Sequence, residues 1–455
     1  MQISKVITIF KGGDRNNLSN YRPISLLPIF SKGLEKVIHI RIINFFEKHN
    51  LLTPTQFGFR KGKSTELALL TQKEIILKAF EEKEAVIGIY IDFSKAFDRL
   101  NHITLLKKLE IYGVRGTPLA LITSYLQHRR QSVSIDNNMS SYRPVTTGIP
   151  QGSILGPLLF NIYVNDVTSA SPVPHYISYA DDTTLLFHER NFQSLEAGIN
   201  AILQNLYQWS KANSLDINTK KTKAVMFTPR QSKAPHFLNI TLGSEPIEFV
   251  DSVKTLGVYL HKNMLWDTHV NYAITKISKS VGILARFHSF LPQAIKLHIY
   301  NALILSHISY CFLVWGRTTV TNLNRLHVLQ KKSIRHIVGV DSQAHTGEYF
   351  MQLNVTSVHN LYLYTLAKRY KQQLRKSQQE LKFMAQLTRT THVRDTRFSE
   401  PWKVPYSRTN YGQQMLRHSL PTLLNNLEHN GIDINHISIS KIRSFLSEQA
   451  SDNPY

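Results

Sequence analysis

The sequence predicts an α+β fold, and three observations support this prediction. Apolar runs typical of short strands fall between residues 85 and 187, with helical patterns before and after them. Acidic residues stand at the ends of two of these runs: Asp92 follows one, and Asp181 and Asp182 follow another. Beyond residue 262 the pattern is mainly helical and the chain is basic. This order of elements is that of an α+β protein.

The composition indicates a globular protein with a polyanionic partner. The chain has 455 residues, of which 42% are hydrophobic. That length is sufficient for about two to four domains, each with its own core. The net charge is +23, from 54 Lys and Arg against 31 Asp and Glu. Nucleic acid is the first partner that such an excess indicates, although charge alone also fits a merely basic soluble protein.

Cysteine usage and apolar segments exclude other classes. Cys311 is the only cysteine, which excludes an internal disulfide and a cysteine-based zinc site. No signal peptide is recognisable, so secretion is not expected. No apolar segment is long enough to cross a bilayer, so no membrane partner is expected either. Nucleus and cytoplasm are both compatible with this sequence.

Helical patterns recur along the chain. Ser31 to His49 is amphipathic, and Ser64 or Thr65 is predicted to cap a second helix that runs toward Glu84. The predicted apolar side of the first helix consists of Leu34, Val37, Ile38, Ile42 and Phe45. Further helices are predicted at Ile103 to Tyr112, Leu158 to Asn165, Leu195 to Ala212 and Leu323 to Val338, with a linker at Ser399 to Tyr411.

The acidic residues at the strand ends predict a metal site. Tyr179 to Asp182 is predicted to form the tip of a short hairpin, because apolar residues flank it on both sides. Adjacent carboxylates repel each other, so a fold that directs Asp181 and Asp182 to one point normally binds a cation there. With Asp92 at a second strand end, the set is typical of sites that hold two Mg²⁺ ions for phosphoryl or nucleotidyl transfer. The residues therefore indicate a template-directed polymerase.

A glycine-rich loop separates these carboxylates in the sequence. It runs from Gly148 to Pro157 (GIPQGSILGP). Glycine lets a backbone or a base approach closely. Taken alone, the loop is better explained as a turn that needs special backbone angles. Its position between Asp92 and Asp181 favours a role at the same site.

The order of these motifs resembles that of reverse transcriptases. The blocks similar to motifs A to E, the last being the primer grip, are Asp92 to Asp98 (DFSKAFD), Gly148 to Gly152 (GIPQG), Tyr179 to Asp182 (YADD), Asn218 to Lys223 and Leu256 to Val258. The blocks that resemble the fingers of non-LTR retrotransposon and group II intron enzymes are Asn20 to Ser25 and Gln56 to Arg60. The blocks that resemble the segment after the polymerase in Jockey-like elements are Ile308 to Gly316 and Leu323 to Leu326.

This resemblance implies a right-hand polymerase with fingers, a palm built on an antiparallel sheet, and a thumb. We expect fingers in residues 1–84, palm in 85–260, a thumb-like helical region in 261–340 and a basic C-terminal region of unknown role in 341–455. The implied activity is RNA-directed DNA polymerisation from deoxynucleoside triphosphates, with an RNA template and a DNA primer as partners. The implied cofactor is Mg²⁺ (two ions), with Mn²⁺ as an alternative.

The resemblance also assigns roles at the metal site. Asp92 and Asp181 are expected to bridge both ions, Asp182 to support the ion on the primer side, and the Phe93 carbonyl to be a further ligand. Lys221 is expected to protonate the leaving pyrophosphate as general acid. Its competitors for that role are Lys220 and Lys223.

Other residues are implied to bind the incoming nucleotide. Phe97 stands where the family places an aromatic ring under the sugar, so that a 2′-hydroxyl would collide with it; an ordinary core aromatic is the alternative. Gln151 is expected to contact the nucleotide, and Gly152 to leave room for the template–primer pair. The remaining members of this set are Arg60 and Lys63, for the triphosphate or the template, and the amides of Lys95 and Ala96.

Nucleic-acid contacts are expected in the second half of the chain. The primer grip is implied to consist of Leu256, Gly257 and Val258. On the predicted helix at Leu323 to Val338, the residues expected to contact duplex phosphates are Arg325, Lys331, Lys332 and Arg335. A solvated helix face is the ordinary alternative. Residues 361–420 add 12 Lys and Arg against 3 Asp and Glu.

Two other functions stay open at this point. One is a group II intron maturase, although no maturase helix motif is recognisable and the segment at Tyr310 to Gly316 favours the retrotransposon type. The other is a catalytically silent nucleic-acid-binding remnant of a mobile element. Nothing in the sequence resembles an endonuclease or a ribonuclease H, so we expect the polymerase without an endonuclease domain. The oligomeric state is not predicted.

Overall fold

The computed structural model describes residues 3–136, 138–173, 175–189, 192–230, 238–390 and 400–452. The chain forms two compact units. The first comprises Met1–Ser64, Ile87–Ala224 and Pro235–Phe249, and the second comprises Thr65–Val86, Val225–Ala234 and Val250–Tyr455. These units cut across the four segments expected from the sequence, so fingers, palm and thumb remain predictions about function.

The strands lie mainly in the first 261 residues. They are β1 (Ile3–Phe10), β2 (Tyr21–Leu26), β3 (Ala85–Ile91), β4 (Arg130–Ile135), β5 (Asn138–Met139), β6 (Arg143–Pro144), β7 (His175–Tyr179), β8 (Asp182–Glu189), β9 (Lys223–Phe227), β10 (Thr241–Leu242), β11 (Glu245–Pro246), β12 (Glu248–Phe249), β13 (Ser252–Thr255) and β14 (Val258–His261).

Helices occur throughout the chain and dominate its second half. They are α1 (Ile29–Lys48), α2 (Thr65–Glu81), α3 (Ala96–Arg99), α4 (His102–Ile111), α5 (Thr117–Leu126), α6 (Gly156–Tyr163), α7 (Val167–Ala170), α8 (Phe192–Ala212), α9 (Asp267–Phe287), α10 (Gln293–Tyr300), α11 (Ser306–Ser309), α12 (Phe312–Trp315), α13 (Val320–Val338), α14 (Gly347–Gln352), α15 (Val358–Arg375), α16 (Glu380–Met384), α17 (Asn410–Gln413), α18 (Leu416–His429) and α19 (Ile439–Asp452). The α+β class is confirmed.

The main sheet has the strand order β12-β9-β3-β8-β7. All seven residues of β3 are buried, which explains why its sequence, AVIGIYI, is apolar without alternation. β7 and β8 pair antiparallel, with Tyr179 opposite Asp182, and the short strand β12 pairs parallel to β9. Helices α1, α4, α5, α6 and α8 contribute buried side chains to one core with this sheet. The predicted hairpin at Tyr179 to Asp182 is therefore confirmed.

The apolar side predicted for α1 was partly wrong. Leu34 and Val37 are 41% and 55% exposed. The buried positions of this helix are Ser31, Glu35, Ile38, Ile42 and Phe46. The apolar pattern predicted a buried side without polar residues. The actual buried side includes a serine and a glutamate, and the buried carboxylate of Glu35 is hydrogen-bonded.

The second unit combines α2 with the helices from α9 onward. Acidic residues of α2 bind the later segments: Glu66 pairs with Arg369, and Glu74 accepts a hydrogen bond from the Leu416 amide at 3.0 Å. Part of the predicted linker is also anchored. The Trp402 amide donates to Asn425 Oδ1 at 2.8 Å, and the Arg408 amide donates to Glu81 at 2.9 Å. Ser399, where that linker was expected to begin, lies outside the described residues.

Across the described ranges, none of the helices combines the length and the apolar character needed to cross a membrane.

Candidate polymerase active site

Three carboxylates lie at the ends of neighbouring strands of the main sheet. Asp92 follows β3 directly, Asp181 lies in the turn between β7 and β8, and Asp182 begins β8. β3 and β8 are adjacent in the sheet. The carboxylates are close enough for the charge of Asp92 to act on both of the others. The structure thus places the three acidic residues that the sequence predicts to share a site at neighbouring strand ends.

Burial and mutual repulsion raise the pKa of two of these groups. Asp182 keeps an exposed surface, yet nearby protein atoms remove enough water from its carboxyl group to raise its pKa. The charges of Asp181 and Asp92 add to this effect, and together they raise the pKa to about 6. Burial and the charge of Asp92 also raise the pKa of Asp181, while Arg22 and Lys11 act in the opposite direction. A site that destabilises its own anions favours a cation.

The donor chemistry fits a divalent metal ion such as Mg²⁺, which prefers carboxylate and carbonyl oxygens. Within the part of the chain that the structure describes, no three acidic, histidine or cysteine side chains converge closely enough to hold an ion. Metal binding would therefore have to draw the three carboxylates together. Phe93, whose carbonyl is the fourth expected ligand, is buried and forms a β-bridge with Ile217.

The segment that contains Lys221 is held against Asp92 by backbone bonds. The Asn218 amide donates to the Asp92 carbonyl, and the Ser94 amide donates to the Asp216 carbonyl, both at 2.7 Å. Lys221 Nζ consequently lies 3.9 Å from Asp92 Oδ2. Its competitor Lys223 instead pairs with Glu248 at 2.5 Å. The geometry therefore favours Lys221 over Lys223 as the lysine at the site.

The turn that carries Asp181 is braced by residues of the QFGFR block. Ala180 has a φ of 56°, in the left-handed region. Gln56 Oε1 accepts a hydrogen bond from the Ala180 amide at 2.9 Å, and Gln56 Nε2 donates to the Ala180 carbonyl at 3.3 Å. A Cβ at Gly58 would lie 2.4 Å from the Ala180 nitrogen, so only glycine fits that position. The block resembling the fingers thus has a direct structural role at the turn that precedes the carboxylates.

The glycine-rich loop is hydrogen-bonded to the segment after Asp92. Gln151 Nε2 donates to Asp98 Oδ1 at 2.9 Å. Gly148 has a φ of 78°, its amide donates to the Leu100 carbonyl at 2.7 Å, and a Cβ there would lie 2.5 Å from the Asp98 carbonyl oxygen. Asp98 therefore positions Gln151 here. Gly152, with a φ of 111°, lies against the Ser25 carbonyl, which a Cβ would approach to 2.9 Å.

Glu35 anchors the other end of that loop. Its carboxylate is 1% exposed and accepts hydrogen bonds from the Ile154 amide at 2.6 Å, the Leu155 amide at 3.4 Å and the Tyr125 hydroxyl at 3.0 Å. A buried carboxylate is stable only with such partners. Glu35 was not predicted from the sequence, where the only signal was an acidic residue at a spacing of three from Ile38 on the same helix.

The residues expected under the nucleotide lie together after Asp92. Phe97 is partly buried, and its ring stacks on the fully buried ring of Phe160 with centroids 4.5 Å apart. Lys95 is exposed with a φ of 50° and precedes the short helix α3, and Ala96 is buried. These positions are compatible with both interpretations of Phe97, as a sugar contact and as a core aromatic.

The basic residues Arg60 and Lys63 contact nearby residues of the same segment. Arg60 Nη1 donates to the Thr53 carbonyl at 2.6 Å, and burial lowers the pKa of its guanidinium group. Lys63 Nζ lies over the Phe57 ring, 4.6 Å from its centroid. Arg22 and Lys11, which the sequence analysis did not select, act electrostatically on Asp181. They are further basic groups beside the carboxylates.

The expected nucleic-acid contacts of the second unit lie on two elements. Leu256 and Gly257 form the turn between β13 and β14, and Val258 is buried. On α13, Arg325 and Lys332 are exposed, seven residues apart and so on one face of the helix. Arg325 also bonds Asn271 at 2.7 Å. Burial lowers the pKa of His359, and the charge of the less exposed Lys331 lowers it further. Arg335 donates a hydrogen bond to the Ala344 carbonyl at 3.0 Å.

Comparison with known proteins identifies the family of this chain. Residues 9–260 match the model of the reverse transcriptase (RNA-dependent DNA polymerase) family. The chain therefore belongs to the reverse transcriptase family, and the resemblance found in the motifs is confirmed. The right-hand polymerase fold accompanies this membership.

Two relatives come from mobile elements of Drosophila melanogaster. The RNA-directed DNA polymerase from mobile element jockey is 28% identical over 82% of this chain and 41% of its own length. The probable RNA-directed DNA polymerase from transposon X-element is 31% identical over 71% of this chain and 36% of its own length. The chain thus spans about two fifths of the length of these relatives. Among solved structures, apo telomerase from Candida tropicalis gives a TM-score of 0.43 at 12% identity, over 84% of this chain and 67% of that one, which is too weak to add to the assignment.

Proposed function

We propose that this chain is an RNA-directed DNA polymerase of the kind carried by non-LTR retrotransposons. The observation that carries the proposal is the set of Asp92, Asp181 and Asp182 at neighbouring strand ends, with raised pKa values for the last two. Its substrates are deoxynucleoside triphosphates and the 3′-hydroxyl of a DNA primer on an RNA template.

The metal site is built from oxygens of the main sheet. Two Mg²⁺ ions, when bound, would activate the primer hydroxyl and stabilise the charge on the triphosphate. Asp92, Asp181, Asp182 and the Phe93 carbonyl would hold these ions. Lys221, 3.9 Å from Asp92, delivers a proton to the leaving pyrophosphate.

Residues after Asp92 and in the glycine-rich loop receive the nucleotide. Phe97 excludes a 2′-hydroxyl, and Gln151, fixed by Asp98, contacts the nucleotide beside it. Gly152 keeps the template–primer path free of a side chain. The groups proposed to bind the triphosphate or template are Arg60, Lys63 and the amides of Lys95 and Ala96.

The second unit supplies the nucleic-acid contacts. The turn at Leu256 to Val258 contacts the primer, and α13 follows the duplex by phosphate contacts. Those contacts come from Arg325, Lys331, Lys332 and Arg335. Phosphate contacts fix the position of a duplex without reading its sequence, so binding is sequence-independent.

A primer-extension assay tests this function. Purified chain is incubated with an RNA template, a DNA primer, deoxynucleoside triphosphates and Mg²⁺, and Asp181→Asn is compared with the wild type. Loss of a metal ligand costs several kcal/mol of barrier, or roughly a thousandfold in rate. Asp136→Asn is the matched control, because Asp136 is exposed with a φ of 46°, which asparagine tolerates. Equal extension by wild type and Asp181→Asn would contradict the assignment.

A further inference from the structure

The turn between β13 and β14 holds a leucine in a conformation that leucine avoids. Thr255 pairs with Val258, so only Leu256 and Gly257 form the turn. Their φ angles are 44° and 82°. Positive φ at both central residues defines a type I′ turn, for which Asn-Gly is the preferred pair. Leucine is strained there because its Cβ approaches the next carbonyl oxygen. Something outside the turn must hold it in this shape.

Tyr310 makes that contact. Its hydroxyl donates a hydrogen bond to the Leu256 carbonyl at 2.8 Å. Its ring also covers Gly257, where a Cβ would come within 3.1 Å of Tyr310 Cε1. Tyr310 is 41% exposed, so burial of its ring does not explain its position. Both its hydroxyl and its ring contact the turn.

Residues that follow Tyr310 in the chain fix its backbone. Cys311 follows it with a φ of 50° and is 4% exposed. The fully buried Trp315 donates its Nε1 proton to the Tyr310 carbonyl at 2.9 Å. A π-helix at Asn301–Leu305 precedes this segment. Strained backbone persists only where its surroundings enforce it, and such strain is concentrated at functional sites.

We propose that Tyr310 is a positioning residue for the primer 3′ end, acting through the Leu256–Gly257 turn. The inference rests on the proposed function, in which this turn contacts the sugar–phosphate backbone of the primer. Reaction requires the attacking oxygen to lie within about 3–3.5 Å of its target. A turn that relaxes would therefore slow nucleotide addition without changing how the nucleotide itself binds.

The test compares Tyr310→Phe in two backgrounds. Loss of one hydrogen bond in the wild-type background should slow single-nucleotide addition about 2- to 10-fold, with the KM for the nucleotide unchanged. In a Leu256→Asn background, Tyr310→Phe should have no further effect, because asparagine adopts the left-handed conformation without help. The matched control is Tyr411→Phe, since the Tyr411 hydroxyl also donates to a loop carbonyl, that of Asn263, at 3.2 Å. It should leave the rate unchanged in both backgrounds.

Two results would overturn the inference. One is an equal slowing by Tyr310→Phe in both backgrounds, which would mean that the hydroxyl does not act through the turn. The other is no slowing in either. If the wild type does not extend primers, the proposed function fails separately, and amide hydrogen exchange at Gly257 and Val258 then decides whether Tyr310 holds the turn. Faster exchange in Tyr310→Phe, absent when Leu256→Asn is added, supports that part; unchanged exchange rejects it.

Discussion

The side chain of Gln56 forms hydrogen bonds with both the backbone amide and the backbone carbonyl of Ala180. Gln56 Oε1 accepts from the Ala180 amide at 2.9 Å, and Gln56 Nε2 donates to the Ala180 carbonyl at 3.3 Å. Gln56 is 3% exposed, so these bonds form away from water. They fix a left-handed residue directly before Asp181. A residue 124 positions earlier in the chain thus braces the turn that leads to Asp181 and Asp182.

Gln56→Leu should lower primer extension with little effect on template binding. The substitution keeps most of the volume but leaves the Ala180 amide and carbonyl unpaired. Misplacement of a catalytic group by a fraction of an ångström to one ångström reduces rates about 10- to 100-fold. Single-turnover rates and template affinity, measured on the same preparation, test this. The control is Gln204→Leu, at an exposed position of α8, and equal rates for the two variants would contradict the prediction.

Asp182→Asn should stabilise the metal-free protein and abolish its stabilisation by Mg²⁺. The folded state raises the pKa of Asp182 from 3.8 to about 6, so it binds a proton more tightly than the unfolded state does. Stability therefore falls as the pH rises from about 4 to 6, and the full penalty is present above that range. Thermal melts in a chelator should show a larger advantage of Asp182→Asn at pH 7.5 than at pH 4. Added Mg²⁺ should raise the melting temperature of the wild type only.

The sequence predicted the local structure around the three carboxylates because its signals are local. The run AVIGIYI before Asp92 and the hairpin at Tyr179 to Asp182 are recognised from adjacent residues, and both are confirmed. The helix expected at Leu323 to Val338 is observed at Val320–Val338. In each case the apolar pattern and the flanking polar residues determine the local structure.

The supporting contacts could not be predicted in this way. Glu35 binds the Ile154 amide 119 residues away, and Gln56 binds Ala180 across 124 residues. Pairings of this kind depend on how the elements pack in three dimensions, and a single sequence holds no period or spacing that reports them. Helix α5 (Thr117–Leu126) was also missed, since its sequence TPLALITSYL contains β-branched residues that weaken the helical signal.

Phe97→Ala should increase the use of ribonucleotides. Removal of the ring opens the space that a 2′-hydroxyl would occupy, so incorporation of ribonucleotides relative to deoxynucleotides should rise at least about tenfold, a change of roughly 1.4 kcal/mol. The control is Phe160→Leu, which alters the buried ring stacked on Phe97. A loss of about 3–5 kcal/mol in unfolding free energy, as for a fully buried ring, with unchanged sugar selectivity, would show that Phe97 is only a core residue.

Reversal of charge at Arg325 and Lys332 should flatten the salt dependence of duplex binding. These residues share one exposed face of α13. For each phosphate that is no longer neutralised, the slope of log K against log salt should decrease by about 1. Dissociation constants for an RNA–DNA duplex at several salt concentrations measure that slope. The double variant Lys107→Glu and Lys441→Glu makes the same change in net charge at exposed positions elsewhere and should alter the slope less.

Glu81→Ala should destabilise the second unit through the C-terminal region. The Glu81 carboxylate accepts hydrogen bonds from the Arg408 amide at 2.9 Å, the Thr409 amide at 3.1 Å and the Thr409 hydroxyl. Loss of a charged acceptor with several partners costs about 1.5–3 kcal/mol of unfolding free energy. Denaturant titration at pH 7 measures this loss, and Glu82→Ala, at the adjacent exposed position, is the control.

The pH dependence of that loss identifies its cause. Burial acts to raise the pKa of Glu81, but its bonds from Thr409 and Arg408 outweigh burial and lower the pKa below 4.5. A carboxyl group whose pKa is lowered in the folded state stabilises the protein fully at pH values above its pKa in the unfolded state. That contribution disappears as the pH falls through its pKa in the folded state. The difference between wild type and Glu81→Ala should therefore be full at pH 7 and shrink below pH 4.5. A difference that is the same at both pH values would mean that Glu81 acts by packing, and that the anchoring of residues 408 and 409 does not depend on its charge.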